Sequence, residues 1–177
     1  GITHDTKADT SVVNTEPDTG PIFLGGAGGW IEGFDIDGGE MIDYVDNWEG
    51  IRIQNGNDFT IRNNYIHDFR RDNDADGEEN TNQNQSSITL YGAKNGLIEH
   101  NRLENNGCGV FFKDRPFLNA QYGNIVRYNW ISADEIQSST SIDPHSCIGI
   151  MWSQQELGNL NDGLPHDANY VYNNVIM

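Results

Sequence analysis

The chain has 177 residues, 36% of them hydrophobic, and a formal net charge of −17. This length suits one domain with a sizeable core. The negative charge argues against nucleic acid as a partner and disfavours anionic membranes. No stretch of about 18 apolar residues is present, so no transmembrane helix is predicted. No signal peptide is visible; if there was one, it has been removed. Strong acidity is common in secreted proteins of saline or calcium-rich settings, and we expect an extracellular protein.

Five copies of one short pattern recur along the chain. Each copy has an aliphatic residue, a second position three residues later that is usually Asn, and another aliphatic residue two further on. The first aliphatic column contains Ile31, Ile61, Ile98, Val126 and Val171. The middle column contains Phe34, Asn64, Asn101, Asn129 and Asn174. The second aliphatic column contains Ile36, Ile66, Leu103, Ile131 and Ile176.

This spacing predicts a strand, a bend at Asn and another strand, because side chains alternate faces along a strand. Asn tolerates left-handed backbone angles and can hydrogen-bond to the copies above and below it. Successive copies begin 30, 37, 28 and 45 residues apart. Unequal intervals favour a coil of strands with loops at its corners over helical repeats. The alternative is an antiparallel sandwich whose segments are similar by chance.

A second set of alternating strands lies between the copies, at 51–53, 88–90, 110–112 and 148–150. Together the two sets resemble the right-handed parallel β-helix of the pectate-lyase-like superfamily, over roughly residues 22–177. The resemblance implies an all-β solenoid of about five rungs with long corner loops. It leaves function open, because lyases, hydrolases, epimerases and phage tailspikes share this fold. Residues 1–21 are polar and are predicted to form an N-terminal arm or a partial first rung.

Long insertions predict a groove. Residues 67–85 and 132–146 leave the same corner of rungs that flank a bare one, and 114–122 and 153–168 lie at the opposite end. Such loops would wall a groove that accepts an extended polymer. Alternatively, they are tolerated surface insertions. The predicted floor is the outward face of the second set of strands, formed by Arg52, Gln54, Thr89, Tyr91, Phe111, Lys113, Gly149 and Met151.

The first insertion contains an Asp-x-Asp-x-Asp-Gly motif at residues 72–77. Its carboxylates lie on one side of a predicted turn, which suits calcium. The predicted ligands are Asp72, Asp74, Asp76 and Glu78, either alone or together with Glu49 or Asp68. The alternative is a solvated acidic loop.

Two groups of residues are candidates for catalysis on a uronic acid polymer. Polysaccharide lyases of the superfamily place outward Lys or Arg on such strands, and this resemblance implies Lys113 as base and Arg115 as carboxylate partner. Lys113 could instead pair with the acidic loop. Asp143 and His145 look like part of the Asp-Pro-His-Asp motif of alginate C5-epimerases, although Ser146 replaces the second Asp. An ordinary Asp-Pro turn is the alternative there.

Aromatic and polar residues near the groove are predicted to bind sugar, because sugar rings stack on aromatic faces. These residues are Arg52, Tyr91, Phe111, Trp152 and His166. The two cysteines, Cys108 and Cys147, start strands on neighbouring rungs, and either a bridge or a buried free thiol is compatible with the pattern.

The leading functional hypothesis is a secreted carbohydrate-active protein with lyase or epimerase chemistry on a uronate polysaccharide. The alternative is a non-catalytic β-helix module that binds glycans or assembles end to end. The last rung near Met177 has no following rung in the sequence, so its strand edges are predicted to pair with another copy or with more chain.

Overall fold

A computed structural model describes residues 2–3, 12–14, 22–24, 26–38, 49–69, 86–114, 121–132, 149–154 and 169–177. The described residues form seventeen strands in three sheets. Sheet A contains β1 (Ile2–Thr3), β4 (Trp30–Glu32), β7 (Thr60–Arg62), β10 (Leu97–Glu99), β13 (Ile125–Arg127) and β16 (Tyr170–Tyr172). Sheet B contains β2 (Val12–Asn14), β5 (Asp35–Asp37), β8 (Tyr65–His67), β11 (Arg102–Glu104), β14 (Trp130–Ser132) and β17 (Val175–Ile176). Sheet C contains β3 (Ile22–Leu24), β6 (Glu49–Gln54), β9 (Ser86–Tyr91), β12 (Val110–Asp114) and β15 (Ile150–Gln154).

The strands follow one another through sheets A, B and C in turn, and each pairs in parallel with its equivalent one coil away. Ile61, for example, is paired with Ile31 on one side and with Ile98 on the other. The two predicted aliphatic columns are therefore real columns of the sheets. The parallel β-helix predicted from the repeats is confirmed. Among the described residues there is no helix that could cross a membrane.

The coil count differs slightly from the prediction. Sheets A and B each contain six strands, because β1 and β2 pair with β4 and β5. Of the two interpretations of residues 1–21, these described strands fit the partial first rung. The stretch lacks the aliphatic spacing of the later copies, which is why its strands were not visible as a repeat.

The core fills the space between the three sheets. Each sheet contributes inward columns of Ile, Leu or Val, and in the middle coils these side chains are fully buried, as Ile51 and Ile53 are in sheet C. Burial of each such side chain stabilises the fold by about 1.5–3 kcal/mol. Because successive coils repeat the same inward positions, the core is continuous from Ile31 to Ile131, whereas the inward positions Val171 and Ile176 of the last described coil are exposed.

The last strand of sheet C begins later than predicted. The sequence pattern aligned Ile148 with Val110, whereas in the structure Val110 pairs with Ile150 and Phe111 with Met151. The shift is two residues. An even shift keeps inward positions inward, so the alternating pattern alone could not detect it.

The corner between sheets A and B is built by the predicted Asn ladder. Asn64, Asn101 and Asn129 each donate from Nδ2 to the Oδ1 of the ladder residue one coil further on, at 3.0 Å in every step. The same Oδ1 atoms accept the backbone N–H of the preceding ladder residue. The ladder Nδ2 groups also donate to carbonyls of the previous coil, such as Ile31 and Ile61. The predicted ladder is confirmed through Asn174.

One detail of this corner was predicted wrongly. The left-handed backbone angle belongs to the residue before each ladder Asn, with φ near +55° at Asn63, His100, Tyr128 and Asn173. That residue turns the chain, which lets the following Asn point its amide into the corner. In the first copy Gly33 has this conformation, and Phe34 follows it in place of Asn.

The long connections between strands lie mostly outside the described residues. These include 70–85 and 133–148, which join sheet B to sheet C, and 115–120 and 155–168, which join sheet C to sheet A. The walls of the predicted groove therefore remain a prediction.

Candidate functional site

The outer face of sheet C contains the described residues that were predicted to act on substrate. The strand register places Arg52 beside Thr89, Thr89 beside Phe111, and Gln54 beside Tyr91. Alternation along β6, β9 and β12 directs these residues away from the Ile, Leu and Val columns of the core. The face predicted from the sequence is thus assembled from neighbouring coils.

Tyr91 is the centre of this face. The Arg52 guanidinium carbon lies 5.3 Å from the centroid of the Tyr91 ring, and the Lys113 Nζ lies 5.7 Å from it. The Tyr91 hydroxyl donates to Glu49 Oε1 at 3.0 Å. Arg52 Nε donates to the other oxygen of the same carboxylate. We call Glu49, Arg52, Tyr91 and Lys113 the Tyr91 cluster.

The Tyr91 cluster is more enclosed than the predicted groove floor. Glu49, Tyr91 and Lys113 are 2%, 3% and 5% exposed, and Phe111 is also buried. The Arg52 side chain retains 15% exposure. Charges removed from water interact more strongly with one another, and they need partners of the kind Glu49 supplies. These side chains therefore form a buried cluster and not the open groove floor that was predicted from the sequence.

The other predicted catalytic and binding residues lie outside the Tyr91 cluster or outside the described residues. Trp152 lies in β15 opposite the core residue Phe112. Arg115, Asp143, His145 and His166 lie outside the described residues, as do the proposed calcium ligands Asp72, Asp74, Asp76 and Glu78. Their roles remain predictions.

Of the two states predicted for the cysteines, a disulfide or a free thiol, Cys108 has the first. Cys108 is buried and disulfide-bonded. The chain has one other cysteine, Cys147, which lies outside the described residues. A covalent link at Cys108 anchors the start of β12, the strand that carries Lys113.

A second cluster, on the outer face of sheet B, was not singled out from the sequence. His67 Nε2 lies 2.9 Å from Asp35 Oδ1, and His67 Nδ1 lies 2.6 Å from Asp68 Oδ2. Asp37 Oδ1 is 3.8 Å from the same Nδ1. We call these four residues the His67 cluster. The aligned copies contained a signal for this cluster, because Asp35 and Asp37 flank Ile36 just as Tyr65 and His67 flank Ile66. Asp37 therefore shares a column with His67 on the adjacent coil.

The surroundings of His67 favour its charged form. Desolvation lowers the pKa of the imidazole, but hydrogen bonds to Asp68 and Asp35 and the charge of Asp37 outweigh it, so the pKa is raised from its ordinary value. The ring also stacks on Tyr65, with centroids 4.2 Å apart.

Tyr65 is poorly suited to act as a base. Desolvation, together with a hydrogen bond from its hydroxyl to Glu104 Oε2, raises the pKa of Tyr65 to about 12. The Arg102 guanidinium lies over its ring, 4.8 Å from the centroid, and Arg102 Nε donates to Glu104 Oε1. The phenol therefore stays neutral near neutral pH, and this row of side chains is a structural network.

A shallow pocket lies beside that row, at the corner between sheets A and B. Its volume is about 480 Å³ and its lining includes His100, Arg102, Glu104, Tyr128 and Trp130. His100 and Tyr128 stack with ring centroids 5.2 Å apart. Aromatic faces beside charged groups in an accessible pocket are suited to binding a sugar ring.

The comparison with protein families bears on these sites. The model of the right-handed β-helix region matches residues 18–161. The chain belongs to this right-handed β-helix family. Comparison with curated proteins and with solved structures gives no match. Membership in the family agrees with the parallel sheets of the solenoid, and β-helix regions occur in carbohydrate-active and other proteins alike, so activity has to be argued from the side chains.

Proposed function

We propose that this β-helix protein binds a uronic-acid-containing polysaccharide and acts on it by lyase or epimerase chemistry at the Tyr91 cluster. The observation that carries the proposal is the position of Arg52 and Lys113 against the ring of Tyr91. The chain has 10 basic and 27 acidic residues. An anionic polymer needs a local reversal of that field, and the two cations of the cluster outnumber its one carboxylate, Glu49.

The chemistry assigns a role to each member of the cluster. Both reactions begin when a base removes the proton next to a carboxylate whose charge a cation has neutralised. Arg52 neutralises the uronate carboxylate, and Lys113 takes the proton from the ring carbon. In elimination the electron pair of that bond forms a carbon–carbon double bond and expels the neighbouring glycosidic oxygen, which takes up a proton from water. In epimerisation water delivers a proton to the opposite face of the carbon. In both cases the Lys113 ammonium then returns its proton to the hydroxide that is left.

Glu49 and Tyr91 support these two residues. Glu49 accepts hydrogen bonds from both Arg52 and the Tyr91 hydroxyl, which holds the guanidinium and the ring in a fixed relation. Preorganised groups in a water-poor site act more strongly on a developing charge than the same groups in water. Since Lys113 is buried, the proposal requires this face to open when the polymer binds. Arg115, Asp143 and His145 remain predicted contributors.

The test is incubation with alginate, pectin and other uronate polymers, followed by ultraviolet absorbance from unsaturated uronate ends and by NMR for epimerised residues. We expect Lys113→Ala to abolish product formation, since general base catalysis contributes about 10²–10⁴-fold. Lys94→Ala is the matched control, because Lys94 Nζ lies 5.3 Å from the ring of Tyr122 in a similar contact. Lack of product from the unmodified protein across the panel, or equal activity of the two variants, would contradict the proposal.

A second function, glycan binding without catalysis, is favoured by the accessible aromatic residues at the corner pocket. Trp130 is 42% exposed there. An aromatic–sugar contact of about 1 kcal/mol corresponds to a roughly five-fold loss of affinity when it is removed. We expect Trp130→Ala to weaken retention in affinity electrophoresis. Trp30→Ala, at an equally exposed position in sheet A, should not. Equal retention of the two variants would remove the pocket as the binding site.

Three further expectations accompany the proposal. A polysaccharide substrate of this kind is extracellular, so the protein is expected to be secreted. Calcium at Asp72, Asp74, Asp76 and Glu78 would offset the acidic charge near a polyanion. End-to-end association through the last coil is the remaining alternative, and Val175 and Ile176 there are exposed.

A further inference from the structure

The outer face of sheet B contains a histidine enclosed by carboxylates from two adjacent coils. Asp37 lies on β5, and His67 lies opposite it on β8 in the parallel register. Asp68 follows directly in the chain. The donor atoms of Asp37, His67 and Asp68 all lie within 4.8 Å of one another. This face is separate from the Tyr91 cluster on sheet C.

We propose that Asp37, His67 Nδ1 and Asp68 form a binding site for a borderline divalent transition-metal ion of the zinc type. Imidazole nitrogen suits such ions, whereas calcium and magnesium are typically bound by oxygen ligands. Three protein ligands with solvent as the fourth are typical of an open zinc site.

The distances are close to those of a chelating site. In a tetrahedral site with ligand bonds of about 2.0 Å, the donor atoms lie about 3.3 Å apart. His67 Nδ1 is 2.6 Å from Asp68 Oδ2 and 3.8 Å from Asp37 Oδ1. Shifts of under about 1 Å therefore convert the hydrogen-bonded cluster into a coordinated one. The Nδ1 proton passes to solvent as its lone pair takes the metal.

Neighbouring groups orient two of the ligands. Asp35 Oδ1 lies 2.9 Å from His67 Nε2, and a carboxylate at this nitrogen holds the proton there and directs the Nδ1 lone pair to the metal. Asn105 Nδ2 donates to Asp68 Oδ1, which leaves Asp68 Oδ2 for the ion.

The backbone around the ligands is also held in place. The amide of Gly38 donates to the His67 carbonyl, and the amide of Asp68 donates to the Glu104 carbonyl. These contacts join three successive coils.

The site is accessible enough to be loaded from solvent. The side chains of His67, Asp37 and Asp68 are 15%, 36% and 38% exposed. A metal ion bound there can exchange with ions in solution. It links the second coil to the third on the outer face of sheet B. Metal bound only to the folded protein raises its melting temperature by mass action.

The experiment is a titration of the chelator-treated full chain with zinc chloride, followed by calorimetry and by the imidazole signals in NMR spectra. We expect the His67 ring signals to shift on zinc addition. We expect Asp37→Asn to weaken binding about ten-fold or more, in line with losses seen at metal sites. His100→Gln is the control, since His100 stacks on Tyr128 at the neighbouring corner and should leave zinc affinity unchanged.

A cobalt titration of the unmodified protein keeps the test independent of any variant. Tyr65 stacks on His67, so bound Co²⁺ should broaden the ring signals of both residues at one equivalent. Zinc affinity that is the same in the unmodified protein and in Asp37→Asn, or Tyr65 and His67 signals that stay sharp with cobalt, would overturn the site. Neither outcome affects the polysaccharide proposal, whose readout is product formation.

Discussion

At the residue scale, each ladder Asn side chain forms hydrogen bonds that link its own coil to the coils before and after it. Asn101 Nδ2 donates to the carbonyl of Ile61 and to Asn129 Oδ1, while its own Oδ1 accepts from Asn64. Asp has the same shape but no amide donor. It would direct a carboxylate oxygen at two acceptors in a buried position, which is costly because neither contact can be a hydrogen bond.

We therefore expect Asn101→Asp to lower the free energy of unfolding by about 1–3 kcal/mol. Urea denaturation at neutral pH measures the change. The control is Asn95→Asp, since Asn95 is exposed and lies outside the ladder, so that the substitution adds the same charge at the surface. Equal destabilisation by the two substitutions would show that a new negative charge, and not the ladder, is responsible.

At the element scale, the residue just before a strand of sheet A packs against the equivalent residue of the preceding coil. Phe59 and Gly96 occupy the same place, two residues before the first aliphatic residue of their copies. An added Cβ at Gly96 would lie 1.9 Å from the ring carbon Cζ of Phe59. The Phe59 ring thus fills the space above Gly96, and the core closes at this corner only because the next coil has no side chain there.

Gly96→Ala is expected to destabilise the protein by about 1–3 kcal/mol through overpacking, with a lower melting temperature as the readout. The double variant Phe59→Leu with Gly96→Ala should lose less than the sum of the two single changes, since the smaller side chain removes the clash. Strict additivity would contradict this explanation.

The same corner contains a shorter ladder that the sequence pattern did not indicate. Asn124 Nδ2 donates to Asn169 Oδ1 and to the Ala93 carbonyl, at 2.8 Å in both cases. Only two copies have Asn at this position, whereas four have Asn in the main ladder. A column of two members is too short to be recognised as a repeat, although its hydrogen bonds are equivalent.

At the scale of the whole molecule, the Tyr91 cluster and the His67 cluster both lie on a chain with a net charge of −17. Arginines bridge neighbouring coils, as Arg62 does with Glu32 and Arg127 with Glu99. These pairs offset part of the repulsion between acidic columns. Against this background, the Tyr91 cluster concentrates positive charge on sheet C, and the His67 cluster concentrates negative charge on sheet B. The anionic polymer and the metal cation that we propose would therefore approach different faces of the same solenoid.

The sequence by itself determined the solenoid, because its columns are local. Ile61, Asn64 and Ile66 stand at spacings that a strand, a turn and a strand require, and each copy repeats them without reference to loop length. The outward order of Arg52, Tyr91 and Lys113 followed from the same alternation. Such information survives in a single chain because one coil packs only on its neighbours.

Only the tertiary structure decided what those outward residues do. Burial of Tyr91 and Lys113, the shared carboxylate of Glu49, and the enclosure of His67 by Asp35, Asp37 and Asp68 depend on distances across coils. Strand alternation indicates which face a side chain takes, but not what lies over that face or how near a neighbour's oxygen comes. Those quantities arise from the stacking of coils of unequal length, and a repeat pattern does not contain them.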